Sequence, residues 1–350
     1  MSNRLNKPED QHIQIIFRFF FLQKSVQYSS RYCGTAFCKN EGFMALLLFE
    51  QILSLFLIML LGFIIVKTGH LKSTDSKVLT VLSVYVILPA VIIKSFQIDL
   101  TPDIRDGFLL ATAAAVIIMF ILLGLAEICG RIWHMNEVEK GSLIYSNCAN
   151  LIIPLVVAVL GEEWIIFSNA FLCVQLVFTW THGKSLIGGD KGFAWKKILT
   201  NINLIAIFIG FIMMLCRIRL PHVVLATMDS ISALLGPLAM LTMGMLLGGI
   251  DLKSVFTNKR IYLITLLRLV VFPLVLLLAM KIFPFETLVT DGRTILYISF
   301  LAAITPSAAA VTQLSQLYDK DAEYSSAINV VTTVFCVLTM PLLTELYMML

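Results

Sequence analysis

The feature that most limits the fold of this 350-residue chain is a pair of apolar segments, each long enough to cross a bilayer, that contain a proline. Pro154 follows a run with two asparagines, and Pro306 lies between Thr305 and Ser307. An unpaired backbone group is costly in hydrocarbon, so a helix is interrupted at mid-depth only where the freed groups have a use. Broken helices in membrane carriers place their half-helix ends at a binding site. The pattern predicts a secondary transporter.

The composition agrees with a membrane protein. Hydrophobic residues make up 59% of the chain and charged residues 14%, with a mean hydropathy of +0.90, whereas soluble proteins have roughly 25% charged residues. The formal net charge is only +4, and no basic stripe is interleaved with aromatics, so we expect a lipid bilayer and no nucleic acid as partner. CxxC, HExxH and GxSxG patterns are absent. We therefore predict no cofactor, no metal site and no enzymatic activity.

Hydropathy and helix-breaking residues divide the chain after Met44 into ten apolar segments. In order, these segments are about Leu46–Val66, Ser76–Phe96, Gly107–Gly130, Gly141–Leu160, Trp164–Thr181, Ile202–Cys216, Val224–Ile250, Arg260–Phe283, Thr294–Tyr318 and Ala322–Met349. Five segments, a polar connection and five more indicate a duplication. We predict a first five-helix repeat over 44–182, a cytoplasmic linker over 183–200 and a second five-helix repeat over 201–350.

Residues 1–43 differ from the rest of the chain. They carry six basic residues, and their apolar run over 13–22 is split by Arg18 and too short to span a bilayer. The run also lacks a signal-cleavage site of the A-x-A type. We therefore expect 1–43 to be a disordered or wrongly assigned N-terminal extension, with Met44 as the natural start.

Prolines recur at matching places in the two halves. Pro89 and Pro237, which follows Gly236, are separated by 148 residues, and Pro154 and Pro306 are separated by 152. Because each half has an odd number of segments, the second copy enters the membrane inverted, which is the arrangement of many carriers.

Basic residues in the connections orient the chain, because cytoplasmic loops carry an excess of lysine and arginine. The odd-numbered connections hold thirteen, namely Lys67, Lys72, Lys77, Arg131, Lys140, Lys184, Lys191, Lys196, Lys197, Lys253, Lys259, Arg260 and Lys320. The even-numbered connections hold six, namely Lys94, Arg105, Arg217, Arg219, Lys281 and Arg293. The odd-numbered connections are therefore predicted to face the cytoplasm.

Several motifs together resemble the auxin efflux carrier family. They include Tyr85-Val86-Ile87-Leu88-Pro89-Ala90, the stretch from Asn147 to Gly161, Gly236-Pro237-Leu238-Ala239-Met240-Leu241-Thr242-Met243-Gly244, Arg268-Leu269-Val270 and Thr305-Pro306-Ser307. The likeness extends in order over essentially all of 44–350. Members of this family include plant auxin exporters and bacterial malate and malonate permeases.

The resemblance implies a fold class, namely an all-α integral membrane protein that is NhaA/bile-acid-symporter-like. It has ten transmembrane helices in two inverted five-helix repeats, with broken helices 4 and 9 crossing at the substrate. It also implies a small organic anion as cargo. The connection over 183–200 is short, whereas the plant carriers have a long hydrophilic loop, so regulation through such a loop is not expected here.

Polar, uncharged residues beside the two prolines are the candidate substrate-binding residues. A broken helix exposes free N–H groups and the positive end of its dipole, which suit an anion. The polar candidates are Asn147, Asn150, Thr305 and Ser307, and the prolines Pro154 and Pro306 are included with them. The alternative is that these side chains only satisfy backbone groups freed by the breaks. Candidates for an ion site or a supporting role are Gln313, Pro89, Gly236 and Pro237.

Arg268 is the one basic residue well inside an apolar segment. At 1.5 Å per residue it lies roughly 12 Å from the Lys259/Arg260 end, near the centre of a core about 30 Å thick. Such a charge is expensive in lipid and normally faces protein or water. Arg268 therefore either helps to hold an anionic cargo or binds carbonyls exposed at a broken helix. Both interpretations predict that it points toward the crossing of segments 4 and 9.

The sequence favours a carrier of organic anions such as malate, malonate or auxin-like acids in the plasma membrane of a bacterial cell. One alternative is a symporter or antiporter of related fold coupled to Na⁺ or H⁺, although no carboxylate lies at either break. Another is a non-transporting membrane sensor on a carrier scaffold. The sequence also leaves a homodimer open.

Overall fold

The computed structural model describes residues 41–189, 200–249, 257–282 and 285–349. The described part is almost entirely helical and contains one isolated antiparallel β-bridge, between Ser146 and Ser307, but no β-strand. Residues 1–40 of the predicted extension and 190–199 of the predicted linker lie outside the described residues.

The helices follow the predicted apolar segments and are numbered here in chain order. Eight of them are α1 Glu41–Lys67, α2 Ser73–Ser95, α3 Pro102–Trp133, α5 Glu162–Gly188, α6 Ile202–Leu215, α7 His222–Gly248, α8 Lys259–Ile282 and α10 Ala322–Met349. Two more are broken into halves, namely α4a Glu137–Ile144 with α4b Cys148–Val159, and α9a Gly292–Ile304 with α9b Ala309–Leu317.

Two predicted boundaries differ from the structure. α1 includes residues 41–43, which the prediction assigned to the extension, and the apolar run from Phe43 onward continues the helix without a breaker. α5 continues to Gly188 through a π-helical turn at Thr179–Gly183, so the predicted linker begins as helix and not as loop. The helix ends at Gly189, whose φ of +67° is a left-handed conformation that glycine adopts without strain.

The helices have the length and surface of a multi-pass membrane protein. Within the described residues, six are long and apolar enough to cross a membrane, namely α2, α3, α5, α7, α8 and α10. Three apolar stretches of helix are shorter, namely Leu53–Lys67 within α1, Ile202–Leu215 in α6 and Gly292–Ile304 in α9a. Large apolar side chains also point outward, as at Phe208, Leu278 and Leu342, each more than half exposed. Such a surface is typical of contact with lipid.

Glycines allow α1 and α7 to pack with their backbones in contact. A Cβ on Gly244 would overlap the carbonyl of Met59, and one on Gly62 would overlap the carbonyl of Leu241. Small residues at such spacing are a usual means of close helix packing in membranes. Around this pair, α2 packs on α6 and α7, while α3, α5, α8 and α10 surround the two broken helices.

Three of the described helices change their hydrogen-bond pattern just before a proline. π-helical turns occupy Ser83–Ile87 in α2 and Leu267–Val271 in α8, ahead of Pro89 and Pro273. In α7 a turn at residues 233–234 precedes Pro237. Because proline has no N–H, the backbone before it must find other partners, and a local widening of the helix provides them.

Polar contacts divide the connections into two sets. At what we term the basic end, the odd-numbered connections meet each other, through Arg260 with Glu139 and Lys320 with Glu137. At the opposite end the even-numbered connections meet, through Lys94 with Glu162 and Asp229, Arg219 with Asp99, and Thr290 with Asp103. Successive helices therefore run from one end of the molecule to the other.

Glu139 is the centre of a buried cluster at the basic end. Its side chain accepts hydrogen bonds from Arg260, from the Asn136 amide at 2.9 Å and from the Tyr324 hydroxyl at 2.8 Å. Arg260 also donates to the carbonyls of Trp133 and His134. Burial opposes ionisation, but these hydrogen bonds together hold the pKa of Glu139 below its ordinary value. The cluster ties the start of α4a to α8 and α10.

Candidate functional site

The two helix breaks meet each other. Residues 145–147 separate α4a from α4b, and residues 305–308 separate α9a from α9b. The backbone N–H of Asn147 donates to the carbonyl of Pro306 at 2.9 Å, and that of Ala308 donates to the carbonyl of Tyr145 at 3.0 Å. These two bonds form the antiparallel bridge between Ser146 and Ser307. Backbone groups freed by one break are thus satisfied by the other.

Side chains of α5 and α10 support the two breaks. Gln175 of α5 accepts from the Ser146 amide at 3.2 Å and from its hydroxyl at 2.5 Å, and donates to its carbonyl at 2.6 Å. On the other side, the Thr332 hydroxyl of α10 accepts from the Ser307 amide at 3.2 Å. Gln175 and Thr332 are buried, so these bonds replace water that cannot reach the breaks.

Arg268 binds the ends of both first half-helices. Its guanidinium donates to the carbonyl of Leu143 at 2.9 Å and to those of Ala303 and Thr305 at 2.8 and 2.9 Å. Leu143 lies in the last turn of α4a, and Ala303 lies in that of α9a. The last carbonyls of a helix lack intrahelical donors and carry the negative end of its dipole. The prediction that Arg268 points toward the crossing is confirmed.

The π-helical turn Leu267–Val271 carries Arg268. Such single-turn insertions rotate the following side chains and occur frequently at functional sites. Arg268 is 1% exposed, and among the described residues no carboxylate pairs with it. A fully buried cation without a counter-ion is unfavourable by itself. The crossing therefore retains positive charge that an anion would neutralise.

Two polar atoms at the crossing have no hydrogen-bond partner among the described residues. They are Nε of Arg268 and Oγ of Ser307, and both are buried. Unsatisfied buried donors are uncommon, because each costs about 1–3 kcal/mol. A ligand that accepts hydrogen bonds would satisfy both atoms.

Five of the predicted site residues are brought together at the crossing. They are Asn147, Thr305, Pro306, Ser307 and Arg268. The Thr305 hydroxyl donates to the carbonyl of Ala302 at 3.0 Å, which agrees with the alternative that it only satisfies freed backbone. The Asn147 side chain is buried and does not cap α4b. Asn150 lies in α4b, but its side chain lies outside the described part of the structure.

The expectation that Pro154 marks the break of α4 is wrong. Pro154 lies inside α4b, seven residues beyond the end of the break at Asn147. The bridge to α9 and the contacts of Gln175 take over the hydrogen bonding at the break, so no proline is needed there. Pro154 instead packs against Gly236 of α7, where an added Cβ would lie 3.1 Å from the Pro154 Cβ. Gly236 therefore allows α7 to approach α4b closely.

The remaining predicted residues lie away from the bridge. Gln313 is an exposed residue of α9b, so its side chain does not face the crossing. Pro89 is buried in α2 and Pro237 is half-buried in α7, each just after the altered helical turn already described. These prolines shape their helices, and among the described residues no hydrogen bond joins them to the breaks.

Sequence reasoning missed Gln175, Thr332 and Ser146. A signal for Gln175 was present, because it is a lone amide within the apolar run Phe171–Phe178, and polar groups inside a membrane segment usually have a partner. Thr332 carried no such signal, since threonine is common in membrane helices and bonds to its own backbone. In the part of the chain that the structure describes, no group of three or more His, Cys, Asp or Glu residues could hold a metal ion.

Comparison with known proteins identifies a family. The sequence profile of the family described as "Membrane transport protein" matches residues 47–191 and again residues 190–344. No curated protein matches the chain. The two matched stretches together cover most of the chain and contain both helix breaks and Arg268.

Proposed function

The chain belongs to the membrane transport protein family, which is the auxin efflux carrier family, and from that premise we propose that it carries small organic anions by alternating access. It is a membrane transporter with several spans, and this family is not a class of enzymes. The observation that carries the proposal is the buried guanidinium of Arg268, which meets both helix breaks but no carboxylate of the described residues.

The architecture proposed is ten spans in two inverted repeats of five, joined by the linker over 183–200. Support comes from the polar contacts, which join odd-numbered connections to each other and even-numbered connections to each other. Further support comes from the side chains that hold the two breaks. Gln175 of the fifth helix binds Ser146, and Thr332 of the tenth helix binds the matching residue, Ser307. With thirteen basic residues, the odd-numbered connections would face the cytoplasm of a bacterial plasma membrane.

The cargo is proposed to bind beside the Ser146–Ser307 bridge. There the first turns of α4b and α9b present the positive ends of their dipoles, and Arg268 adds a full charge. Asn147, Asn150 and Ser307 would orient the carboxylate by hydrogen bonds, while Pro306 and Thr305 hold the backbone in place. A carboxylate of a malate, malonate or auxin-like acid has the charge and the acceptor atoms that this position lacks.

A carrier coupled to Na⁺ or H⁺ is the second candidate, and the geometry favours it less. Cation sites in broken helices are built from unwound carbonyls and half-helix ends. Here Arg268 already occupies those carbonyls, at Leu143, Ala303 and Thr305. No aspartate or glutamate lies within either break to take up a proton.

Transport and binding assays test the proposal. Counterflow of a labelled carboxylate into proteoliposomes is expected of the wild type, and a thermal-shift screen of dicarboxylates, keto acids and indole acids identifies the cargo. A ligand at a hundred times its Kd adds about 2.7 kcal/mol to the free energy of unfolding. If no acid is transported and none stabilises the protein, the function is not anion transport.

Single-residue variants test the site. Ser307→Ala removes a hydroxyl without a partner, so the ligand-free protein should unfold at an unchanged or higher temperature while cargo affinity falls. Asn147→Ala should also weaken binding with normal membrane insertion. Ser315→Ala in α9b is the matched control, since that buried hydroxyl donates to the carbonyl of Val311. Wild-type transport by both site variants would contradict the crossing as the cargo site.

A further inference from the structure

We propose that a second anion site, which takes a phosphate group, lies at the basic end between α3, α4a and α5. A cavity of about 240 Å³ is present there. Apolar side chains form most of its wall, namely Leu123, Ala126, Ile144 and Leu186, and the polar groups are Glu127, Lys140 and His182. Sites for drug-sized ligands have about 300–1,000 Å³, so this cavity suits a single small headgroup or ion.

The cavity wall offers hydrogen-bond donors of a cation, which suit an anion. The carboxylate of Glu127 is held by two cations, with Nζ of Lys140 at 2.8 Å and Nε of Arg131 at 3.0 Å. Arg131 lies outside the cavity wall and neutralises Glu127 from the solvent side, so the carboxylate does not depend on Lys140 alone. Glu127 is the acceptor for the Lys140 ammonium among the described residues, so two of its three N–H donors remain for a ligand. The anion would therefore bind on the lysine side of this ion pair, away from the paired carboxylate.

Lys140 is held in this place by the shape of α3. Its side chain crosses α3 at Gly130, where an added Cβ would overlap the lysine stem. A lysine near the end of a membrane helix usually extends toward water, but the Lys140 side chain is only 20% exposed. The glycine thus allows an ammonium group to be fixed in a mostly apolar wall.

His182 provides a second donor. It lies in the π-helical turn Thr179–Gly183, and its Nδ1 is 2.9 Å from the hydroxyl of Tyr145. The Tyr145 hydroxyl is also 3.1 Å from the carbonyl of Phe178. When Tyr145 donates to Nδ1, the proton of the neutral imidazole lies on Nε2, which has no partner among the described residues and can donate to an anion. An anion in the cavity selects this arrangement.

Binding there would also act on the crossing, because Tyr145 of the α4 break contacts His182 of the cavity wall. Its hydroxyl contacts His182, while its carbonyl accepts from the Ala308 amide in the break of α9. In the arrangement that the anion selects, the Tyr145 proton turns from Phe178 to His182. The cavity thus communicates with the cargo site without belonging to it, since no residue of either break lines the cavity.

A phosphate group could come from an anionic lipid or from solution. Basic pockets between helices at the cytoplasmic side are typical sites for anionic lipid headgroups. Free phosphate or a phosphate ester presents the same charge and acceptor oxygens. The shared chemistry is a phosphate group held by Lys140 and His182, and the experiment separates the sources.

Thermal stability and native mass spectrometry of the full chain in phosphatidylcholine nanodiscs provide the test. One arm replaces part of the lipid by phosphatidylglycerol, and the other adds inorganic phosphate. We expect saturable stabilisation by one bound group in at least one arm, and the arm that responds identifies the source. Lys140→Met and His182→Gln should each weaken this binding about tenfold, as expected for loss of one charge-assisted hydrogen bond.

Arg131→Met is the matched control. It removes the other cation that binds Glu127, but its side chain is 79% exposed and does not line the cavity. The affinity of this variant for the phosphate group should therefore stay within about twofold of that of the wild type. Equal losses in Arg131→Met and Lys140→Met would indicate diffuse attraction and overturn the site. Unchanged binding by His182→Gln would also overturn the site, because this change replaces a neutral imidazole and leaves every formal charge as it was. The absence of stabilisation in both arms would overturn it as well.

Discussion

Helix α8 carries two arginines about two turns apart, and they differ in whether a carboxylate is among their partners. Arg260 at the basic end binds the carboxylate of Glu139 and the carbonyls of Trp133 and His134. Arg268 at the crossing binds three carbonyls and no carboxylate of the described residues. The Arg260 side chain is 39% exposed, whereas Arg268 is 1% exposed. The more deeply buried cation is thus the one without a counter-ion.

This difference indicates two roles for one residue type. A guanidinium paired with a carboxylate is neutralised, so Arg260 serves to hold α3, α4a, α8 and α10 together. Carbonyl dipoles orient the guanidinium of Arg268 but leave its net charge in place. A buried net charge is unfavourable until a ligand of opposite sign arrives. We therefore expect Arg260 to determine stability alone and Arg268 to determine both stability and cargo binding.

The largest effect is expected from Arg268→Ala. The change leaves three buried carbonyls without donors, so unfolding free energy should fall by on the order of 3 kcal/mol, and transport should be abolished. Arg268→Lys keeps the charge but not the fork of donors and should retain part of the transport. Thermal unfolding in detergent and proteoliposome counterflow measure the two effects. An alanine variant with full activity would contradict both roles.

The next effect is expected from Arg260→Ala, which sharpens the comparison. Removing this partner leaves Glu139 buried without its cation, but solvent reaches the site, so the loss should be about 1–3 kcal/mol. Cargo affinity per folded molecule should remain that of wild type, because the cluster lies two turns from the crossing. Ligand titration of the folded fraction measures this. A large change in Kd would remove the distinction between the two arginines.

The supports of the two breaks should differ in strength. Gln175→Leu removes three hydrogen bonds to Ser146 and should lower the unfolding free energy by about 2–3 kcal/mol. Thr332→Val removes one, to the Ser307 amide, and should cost about 1 kcal/mol. The two variants are matched in burial, and thermal unfolding compares them. Equal losses would contradict the expected order, and negligible losses in both variants would mean that the backbone bridge alone holds the breaks.

The smallest effect is expected for the pH dependence of stability, to which Glu139 contributes. Its pKa is lowered in the folded protein, so its contribution to stability is complete above the unfolded value of about 4.3 and is lost as the pH falls through the folded value. Thermal unfolding should therefore become easier in acid, and Glu139→Gln should be less sensitive over the same range. Equal acid sensitivity in wild type and variant would assign the effect to other carboxylates.

The positions of the helices follow from the sequence because hydropathy and breakers are local properties. The bounds of α10 agree with the predicted Ala322–Met349, and α6 ends one residue before its predicted end. Arg268 was also predictable, because a charge at the depth of a bilayer centre must find protein partners. Boundaries next to charged connections, such as the end of α5, depended on a π-helical turn that has no local signature.

The break of α4 could not be placed from the sequence. Proline is the visible breaker, but α4b accommodates Pro154, and the break forms where α9 and Gln175 offer better partners. That choice depends on contacts between residues about 160 positions apart, such as Ser146 with Ser307. In α9 the proline and the break coincide, since Pro306 lies within residues 305–308, and there the local signal was sufficient.

The bridge between Ser146 and Ser307 joins main chain to main chain. Replacing the side chains on either side changes neither the donors nor the acceptors of its two bonds, provided that the new side chains fit. The chemistry presented to a passing molecule can therefore be altered at Asn147 and Ser307 while the frame beneath stays the same. If the proposed cargo site is correct, a protein engineer who wishes to change the selectivity of this carrier would vary those two side chains first and leave Gln175 and Arg268 untouched.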